Sequence, residues 1–443
     1  MGISSYERFE YLLDIKKRDI ARAFNPFLVA KSDKLKKLIE EVQQQIEGYE
    51  AFHQTRQRAR RAADQKIHRR MIEAILCDLC LLHLDPQYDA VHLPLSNKVL
   101  RKASRYKSPV LGKTLPDLLN IMTAPEMDFV VLTKGHKNFR IIDHDLNVVP
   151  TEGVQSMLAP GPKLLSRIER FRVTQEDIAW SDEQEPIVLR STKAPGQEVA
   201  EAVEYTDTQQ TDTLRAEINS INAYLAQADI SCKYHNTNPN DRYLRRIFNN
   251  NSFDQGGRLY GGFWQRLMSE IRYEHIRINK DMIAECDYGQ MSILLLYAEA
   301  EAQDQLPAGD LYDLSAYGIP WECRPGIKKV MQAIINSPDI PKRLPKGARK
   351  HIPTNISLTD ILTAIQKKHP VIYPLMNSNR GMQLFRKESD ILVNVLLTLR
   401  EHDVVALPIH DAVLVAEEDK ETAVRVMKDV FREHTGITPE VTH

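Results

Sequence analysis

Apolar and polar positions follow different rhythms along this chain, and each rhythm predicts an element. Over 32–52, "SDKLKKLIEEVQQQIEGYEAF" places Leu, Ile and Val at steps of three and four. That spacing predicts an amphipathic helix begun by a Ser/Asp cap. "AILCDLCLLHL" (74–84) is apolar on nearly every side and predicts a buried helix. Residues 1–85 thus read as a helical region. From 88 to 145 the pattern changes. "LSNKVLRKASRY" and "GKTLPDLLNIMTA" predict two short helices, and "DFVVLTKGHKNFRIIDHD" predicts two strands around a Gly-containing turn. Helices followed by a hairpin with a basic tip make a winged-helix-like plan over 86–180, with one more helix at "GPKLLSRIERF". Residues 181–213 are polar and mixed in charge and read as a linker. From 214 to 443 the pattern is again that of a packed domain, and no internal repeat is evident.

Within that last region two acidic residues stand where apolar strands end. "VVALPIHDAVLVAEE" (404–418) is two β-rich runs meeting at His410 and Asp411. In "MIAECDYGQMSILLLYAEA" (282–300) a strand ends on Asp287 and a helix begins just after it. Either aspartate by itself is as readily a turn residue or a helix cap. As a pair on rigid tips, they suit divalent cations that bind a triphosphate and activate a hydroxyl. Between them lies "CRPGIKKVMQAIINS" (323–337). On a helix, Arg324, Lys328 and Gln332 share one face at i, i+4 steps, while Val330, Met331 and Ile334 pack on the other. A row of cations suits phosphate; the plain alternative is a solvated amphipathic helix. Upstream, "FNNNSFDQGGRLYGGFW" (248–264) sets Arg258, Tyr260, Phe263 and Trp264 among glycines, as a nucleotide clamp or a structural loop would.

Composition adds limits. The 443 residues carry a net charge of −1, so no global charge points to a partner. The basic residues are clustered, however, in 56–70 (with Arg60 and Arg61) and 97–113 (with Lys102 and Arg105). Such clusters suit a phosphate backbone, or a solvated helix face. Five Cys argue against a disulfide framework and for a reducing, cytoplasmic setting. Cys77 and Cys80 form a CxxC without a second Cys/His pair nearby, so they read as core residues. No secretory signal and no membrane-spanning run is evident.

Asp287 in "CDYGQMS", Arg324 and Lys328 in "RPGIKKVMQAIINS" and "IHD" at 409–411 stand in the order of motifs A, B and C. In this the chain resembles the family A DNA polymerases and the related phage-type single-subunit RNA polymerases, as a compact, divergent bacterial or mobile-element member. "GDLYDLSA" (309–316) is similar to the family's Asp-x-His/Tyr helix start, and "GGRLY" (256–260) to the Gly-Arg-x-Tyr stretch of the RNA polymerase branch. The resemblance covers about 245–430. It implies a right-hand palm with Asp287 and Asp411 as ligands of Mg²⁺ (or Mn²⁺) and His410 beside the primer end. It also implies a fingers helix placing Arg324, Lys328, Gln332 and Asn336 against the incoming nucleotide. Three departures stand out. Asn336-Ser337 replaces the family's Tyr-Gly. The 287-to-411 spacing is short, so the fingers look reduced. Ser292 stands where the DNA polymerases carry a Glu that excludes a ribose 2′-hydroxyl. No Asp-x-Glu strand of a proofreading exonuclease precedes the core.

The expected fold is therefore α+β and mostly helical, with a palm-and-fingers core over 214–443 behind an N-terminal helical and winged-helix-like module. The expected activity is template-directed nucleotidyl transfer, making RNA or DNA or priming, with nucleic acid template and nucleoside triphosphates as partners and no membrane. The alternatives are a non-catalytic DNA-binding replication initiator or regulator on a polymerase-like scaffold, and a metabolic enzyme whose motif order is accidental.

Overall fold

The computed structural model describes residues 21–443 except 57, 86–87, 137–138, 142–147, 151–153, 195, 198, 235–236, 338 and 377. The fold is α+β, with helix the larger share. The chain divides into two compact units, Met1–Gln184 with Tyr234–Asp241, and Glu185–Lys233 with Arg242–His443. Among the described residues, no helix is long and apolar enough to cross a membrane.

In the first unit, helices Asp33–Phe52 and Ala62–Leu84 form where the apolar periodicity places them. Ser32 caps the first by accepting from the Leu35 N–H, which satisfies one orphan donor of the opening turn. Cys77 and Cys80 are fully buried in the core, as their apolar setting predicts. The first 20 residues of the predicted helical region lie outside the described residues. The winged-helix hairpin does not form as expected. Val130–Thr133 is a strand, but its antiparallel partner is Ser156–Pro160. Phe139–Ile141 pairs separately with Val148–Pro150, and part of the predicted hairpin, 137–138 and 142–145, lies outside the described residues. The larger sheet runs Ala21–Ala23, Ala90–Leu93, Ser156–Pro160, Val130–Thr133, with the first pair parallel. Met157, Leu158, Ala159 and Pro160 of that partner strand are buried, so the pairing is set by tertiary packing, beyond local pattern. The chain returns to this unit at 234–241, where Asn240 accepts from the Lys31 ammonium at 3.2 Å.

The second unit begins inside the segment that reads as a linker. Ile187–Leu189 is a buried strand running parallel to Arg245–Asn249, and helix Gln209–Gln227 starts on a Thr208–Thr211 capping box. A three-residue apolar island in a polar stretch is enough to dock an edge strand. Arg245–Asn249 also pairs antiparallel with Ser252–Tyr260, with register shifts beside Phe248. The sheet that matters most here runs Leu407–Ile409, Ala412–Ala416, Ile283–Tyr288, Val441–Thr442, all antiparallel. Ala284, Cys286 and Tyr288 point to the core on alternate positions, so Glu285 and Asp287 fall on the other face. The Tyr288 hydroxyl donates to the Met427 carbonyl of helix Lys420–Thr435 at 2.6 Å, fixing that strand on the helix beneath it.

Candidate active site

Strand pairing places the two aspartates. Asp287 lies opposite Ala412, and Asp411 is the residue before Ala412, so the two carboxylates belong to neighbouring positions on adjacent antiparallel strands. A two-residue turn, His410-Asp411, closes the hairpin between Ile409 and Ala412. His410 is exposed and adopts φ 54°, a left-handed backbone that costs a side-chain-bearing residue about 1–2 kcal/mol. The hairpin is held from behind. The Trp264 indole N–H donates to the Pro408 carbonyl at 2.9 Å, and the Gln265 amide donates to the same oxygen at 3.0 Å. Trp264 and Phe263 are fully buried, so these two of the predicted clamp aromatics are core residues. Their aromatic bulk is needed to back the hairpin and is closed to a nucleotide.

Burial raises the Asp287 carboxyl to about 6, reinforced by the neighbouring charges of Asp411 and Glu285; Lys328 acts the other way. Two anions in a half-buried site, with one nearby ammonium, have charge that a divalent cation would neutralise. Among the described residues, no group of three His, Cys, Asp or Glu is gathered closely enough to hold a metal alone. Mg²⁺ bound by two carboxylates would draw its other ligands from water and substrate phosphate, its ordinary habit. The residues therefore fit such an ion.

Helix Arg324–Ile335 forms with Pro325 in its first turn, where a missing N–H is harmless. Its Ile327, Val330, Met331 and Ile334 are buried, which leaves Arg324, Lys328 and Gln332 on the other side as their spacing predicts. Arg324 is engaged: its guanidinium donates twice to Asp310 Oδ2, at 2.8 and 2.5 Å, and lies over the rings of Tyr312 and Trp321. The Lys328 ammonium is exposed, 5.9 Å from the centre of the Tyr312 ring. The Gln332 amide donates to the Ser292 hydroxyl at 3.2 Å and is hydrogen-bonded with Tyr312. Asn336 caps the helix, donating to the Gln332 carbonyl at 2.8 Å. It abuts Gly381, where an added Cβ would fall on the Asn336 side-chain oxygen.

The segment carrying Asp310 and Tyr312 is fastened from several sides. Lys368 donates to the Asp310 and Asp313 carbonyls, at 2.7 and 2.6 Å. His369 is fully buried and held neutral, its pKa lowered to about 4 by burial. One ring nitrogen faces the Leu311 carbonyl at 2.8 Å and the other the Tyr297 hydroxyl at 3.0 Å. A neutral imidazole serves both by donating to the carbonyl and accepting from the hydroxyl.

Gly256 and Gly257 are a bulge. Their φ values of 80° and 87° belong to the left-handed region, and the register shifts there. The glycines are thus structural, and the bulge re-aims Arg258. Arg258 donates to Glu388 at 2.7 Å and covers the Phe385 ring at 3.8 Å. Beside it the fully buried Arg246 donates to the Gly257 carbonyl, the Ser389 hydroxyl and Asp390. Burial pushes the Glu388 carboxyl up to about 7, against the pull of Arg258; Asp411 and Asp287 add to the rise. Tyr260 is exposed.

Asp287, Asp411, Lys328, Arg324, Gln332 and Ser292 thus belong to one connected site in the second unit. Asp310 and Tyr312 are the Asp and Tyr of the Asp-x-Tyr stretch, without a role assigned to them from sequence, and Glu388 is unmarked by any motif. "GDLYDLSA" held the signal for Asp310 and Tyr312; Glu388 sits in "RKESDILVNVLL", which reads as plain amphipathic helix. The first unit treats the other candidates differently. Arg60 is bound by Glu50 through both guanidinium nitrogens, at 2.6 and 2.5 Å, and both side chains are largely buried. That pairing commits Arg60 to structure. Arg61 and Lys102 are exposed and Arg105 is half-buried.

No model of a known protein family matches the chain, and no curated protein matches it.

Proposed function

We propose that the chain is a template-directed nucleotidyltransferase that uses Mg²⁺ (or Mn²⁺), with the site in its second unit. The observation that carries this reading is the pairing of Asp287 with the Asp411 hairpin, facing a helix whose Lys328 charge reaches Asp287. A 3′-hydroxyl would attack the α-phosphorus of a nucleoside triphosphate, the new P–O bond forming as the α–β bridge breaks and pyrophosphate leaves. A divalent cation at the aspartate pair would stabilise the charge that develops on the transferring phosphoryl group. The chain's own residues bind and orient. Lys328 and Arg324 meet the triphosphate, Ser292 and Gln332 line the position next to them, and Tyr312 braces both Arg324 and Gln332. Arg258 and the exposed Tyr260 offer contacts to the nucleic acid strand, and His410 stands beside the primer end. Arg61, Lys102 and Arg105 give the first unit a basic surface for the template.

Purified protein incubated with Mg²⁺, labelled nucleotides and primed or unprimed templates tests the reading. Template-dependent incorporation is expected. Its absence with every template and both sugar types, from folded protein, would leave a binding protein on a polymerase-like scaffold.

A further inference from the structure

The helix bearing Lys328 is followed by a basic segment that the reading above leaves without a role. Residues 340–359 contain no acidic residue, yet they carry Lys342, Arg343, Lys346, Arg349, Lys350 and His351. The segment is mostly irregular, with one short turn at Arg349–His351. It is nonetheless fixed. Ala348, Ile352 and Ile356 are buried in the core, and Leu344 packs against it. Ile352 and the Ala348 carbonyl press on Gly326, where a Cβ would stand 2.7 Å from Ile352 Cγ1. Lys329 donates to the Gly347 carbonyl at 3.4 Å. Arg349 braces the segment internally by donating to the Pro353 and Ile356 carbonyls, at 3.0 and 3.3 Å.

With those anchors made, Lys342, Arg343, Lys346 and Lys350 are exposed, and none forms an ion pair among the described residues. Several other cations of the same unit, Arg215, Arg246, Arg258, Arg272, Arg324 and Arg380, each face a carboxylate. Four unmatched cations on a pinned strap repel one another and gain most from an extended polyanion. At 3.6 residues per turn, Gly326 and Lys329 lie about a quarter to a half of a turn from Lys328. The strap therefore flanks the nucleotide-facing row without joining it.

We infer that this strap, through Lys342, Arg343, Lys346 and Lys350, binds the phosphate backbone of a single nucleic-acid strand. The single-strand assignment rests on the function proposed above, because a template is unpaired until it meets the incoming nucleotide. Neutralising phosphates releases counterions, so each contact to a single strand adds about 0.7 to the slope of log affinity against log salt.

The test is fluorescence anisotropy with a labelled 20-nucleotide oligothymidylate and full-length protein, from 50 to 200 mM salt, without nucleotides. The variant K342A/R343A/K346A/K350A removes the four charges and keeps every anchor. Its slope is expected to fall by about 3 and its affinity at least tenfold. K346A/K350A is expected to lose about half of that slope, and guards against a folding defect in the larger variant. K420A/R425A/K428A/R432A removes the same charge from helix Lys420–Thr435 and is expected to change affinity less than threefold. An unchanged slope in both strap variants, an equal loss in the helix variant, or a loss seen only with a 20-base-pair duplex would overturn the inference. Because no turnover is measured, strap binding without any incorporation would sink the proposed activity and leave the strap standing.

Discussion

The Gln332 amide donates to the Ser292 hydroxyl across 3.2 Å, joining helix Arg324–Ile335 to the helix that follows Asp287. This bond occupies the position where a DNA polymerase of the resembled family would hold a Glu. Ser292 leaves room for a 2′-hydroxyl and can exchange its bond to Gln332 for one to ribose. Wild-type protein is therefore expected to use ribonucleotides at least as well as deoxynucleotides, with a gain of up to about tenfold from one hydrogen bond. Ser292→Glu is expected to lose ribonucleotide use selectively. Competition between matched ribo- and deoxynucleotides decides it, and a strong wild-type preference for deoxynucleotides would remove the ribose-tolerant reading.

Arg324 and Lys328 converge on the Tyr312 ring from successive turns of one helix. A charge-assisted contact to phosphate is worth roughly 1.5–3 kcal/mol. Arg324→Ala and Lys328→Ala should each raise the nucleotide KM about tenfold or more and leave oligonucleotide affinity near wild type. An unchanged KM in both would return this helix to a solvated surface.

Asn222 is a buried clip that both accepts from the Leu244 N–H at 2.8 Å and donates to the Leu244 carbonyl at 2.9 Å. Asn222→Ala strands two backbone groups in the core, and each costs about 1–3 kcal/mol. Urea unfolding should show the second unit less stable by about 2–4 kcal/mol. A loss under 1 kcal/mol would mean that water reaches these groups.

Glu388 gives a pH signature. Its folded pKa of about 7 lies above the ordinary 4.5, so the folded state holds the proton more tightly. The stability it contributes is full below about pH 4.5 and is lost as pH rises through about 7. Relative to Glu388→Gln, wild type should lose about 1–3 kcal/mol between pH 4.5 and 7.5. A difference between the two proteins that is flat with pH would show that the Arg258 pair keeps Glu388 ionised throughout.

What the sequence made legible was local. The Ser32 cap, the buried CxxC helix, the strand ending near Asp287 and the His410-Asp411 turn each follow from a short pattern with a fixed physical cause. The Arg324–Lys328–Gln332 row follows from helical spacing alone. What stayed hidden was partner choice. Val130–Thr133 is legible as a strand, but its pairing with Ser156–Pro160 joins residues more than twenty positions apart, which local pattern does not select. Ile187–Leu189 was too short to stand out from its polar surroundings. Phe263 and Trp264 look the same in sequence whether they stack on a base or back a hairpin; only the bond from Trp264 to Pro408 separates the two. Arg60 likewise reads in sequence as one cation of a basic cluster; its pairing with Glu50, ten residues earlier, is set by the fold.

The central claim is that Asp287 and Asp411 together hold the cation that drives nucleotide addition. The most direct measurement is primer extension with Mg²⁺ on a defined template by wild type, Asp287→Ala and Asp411→Ala, each checked for folding by circular dichroism. Incorporation by wild type with loss of at least a hundredfold in both variants is the expected result, since each substitution removes transition-state charge stabilisation worth roughly 3 kcal/mol or more. Near-normal extension by either folded variant would contradict the account.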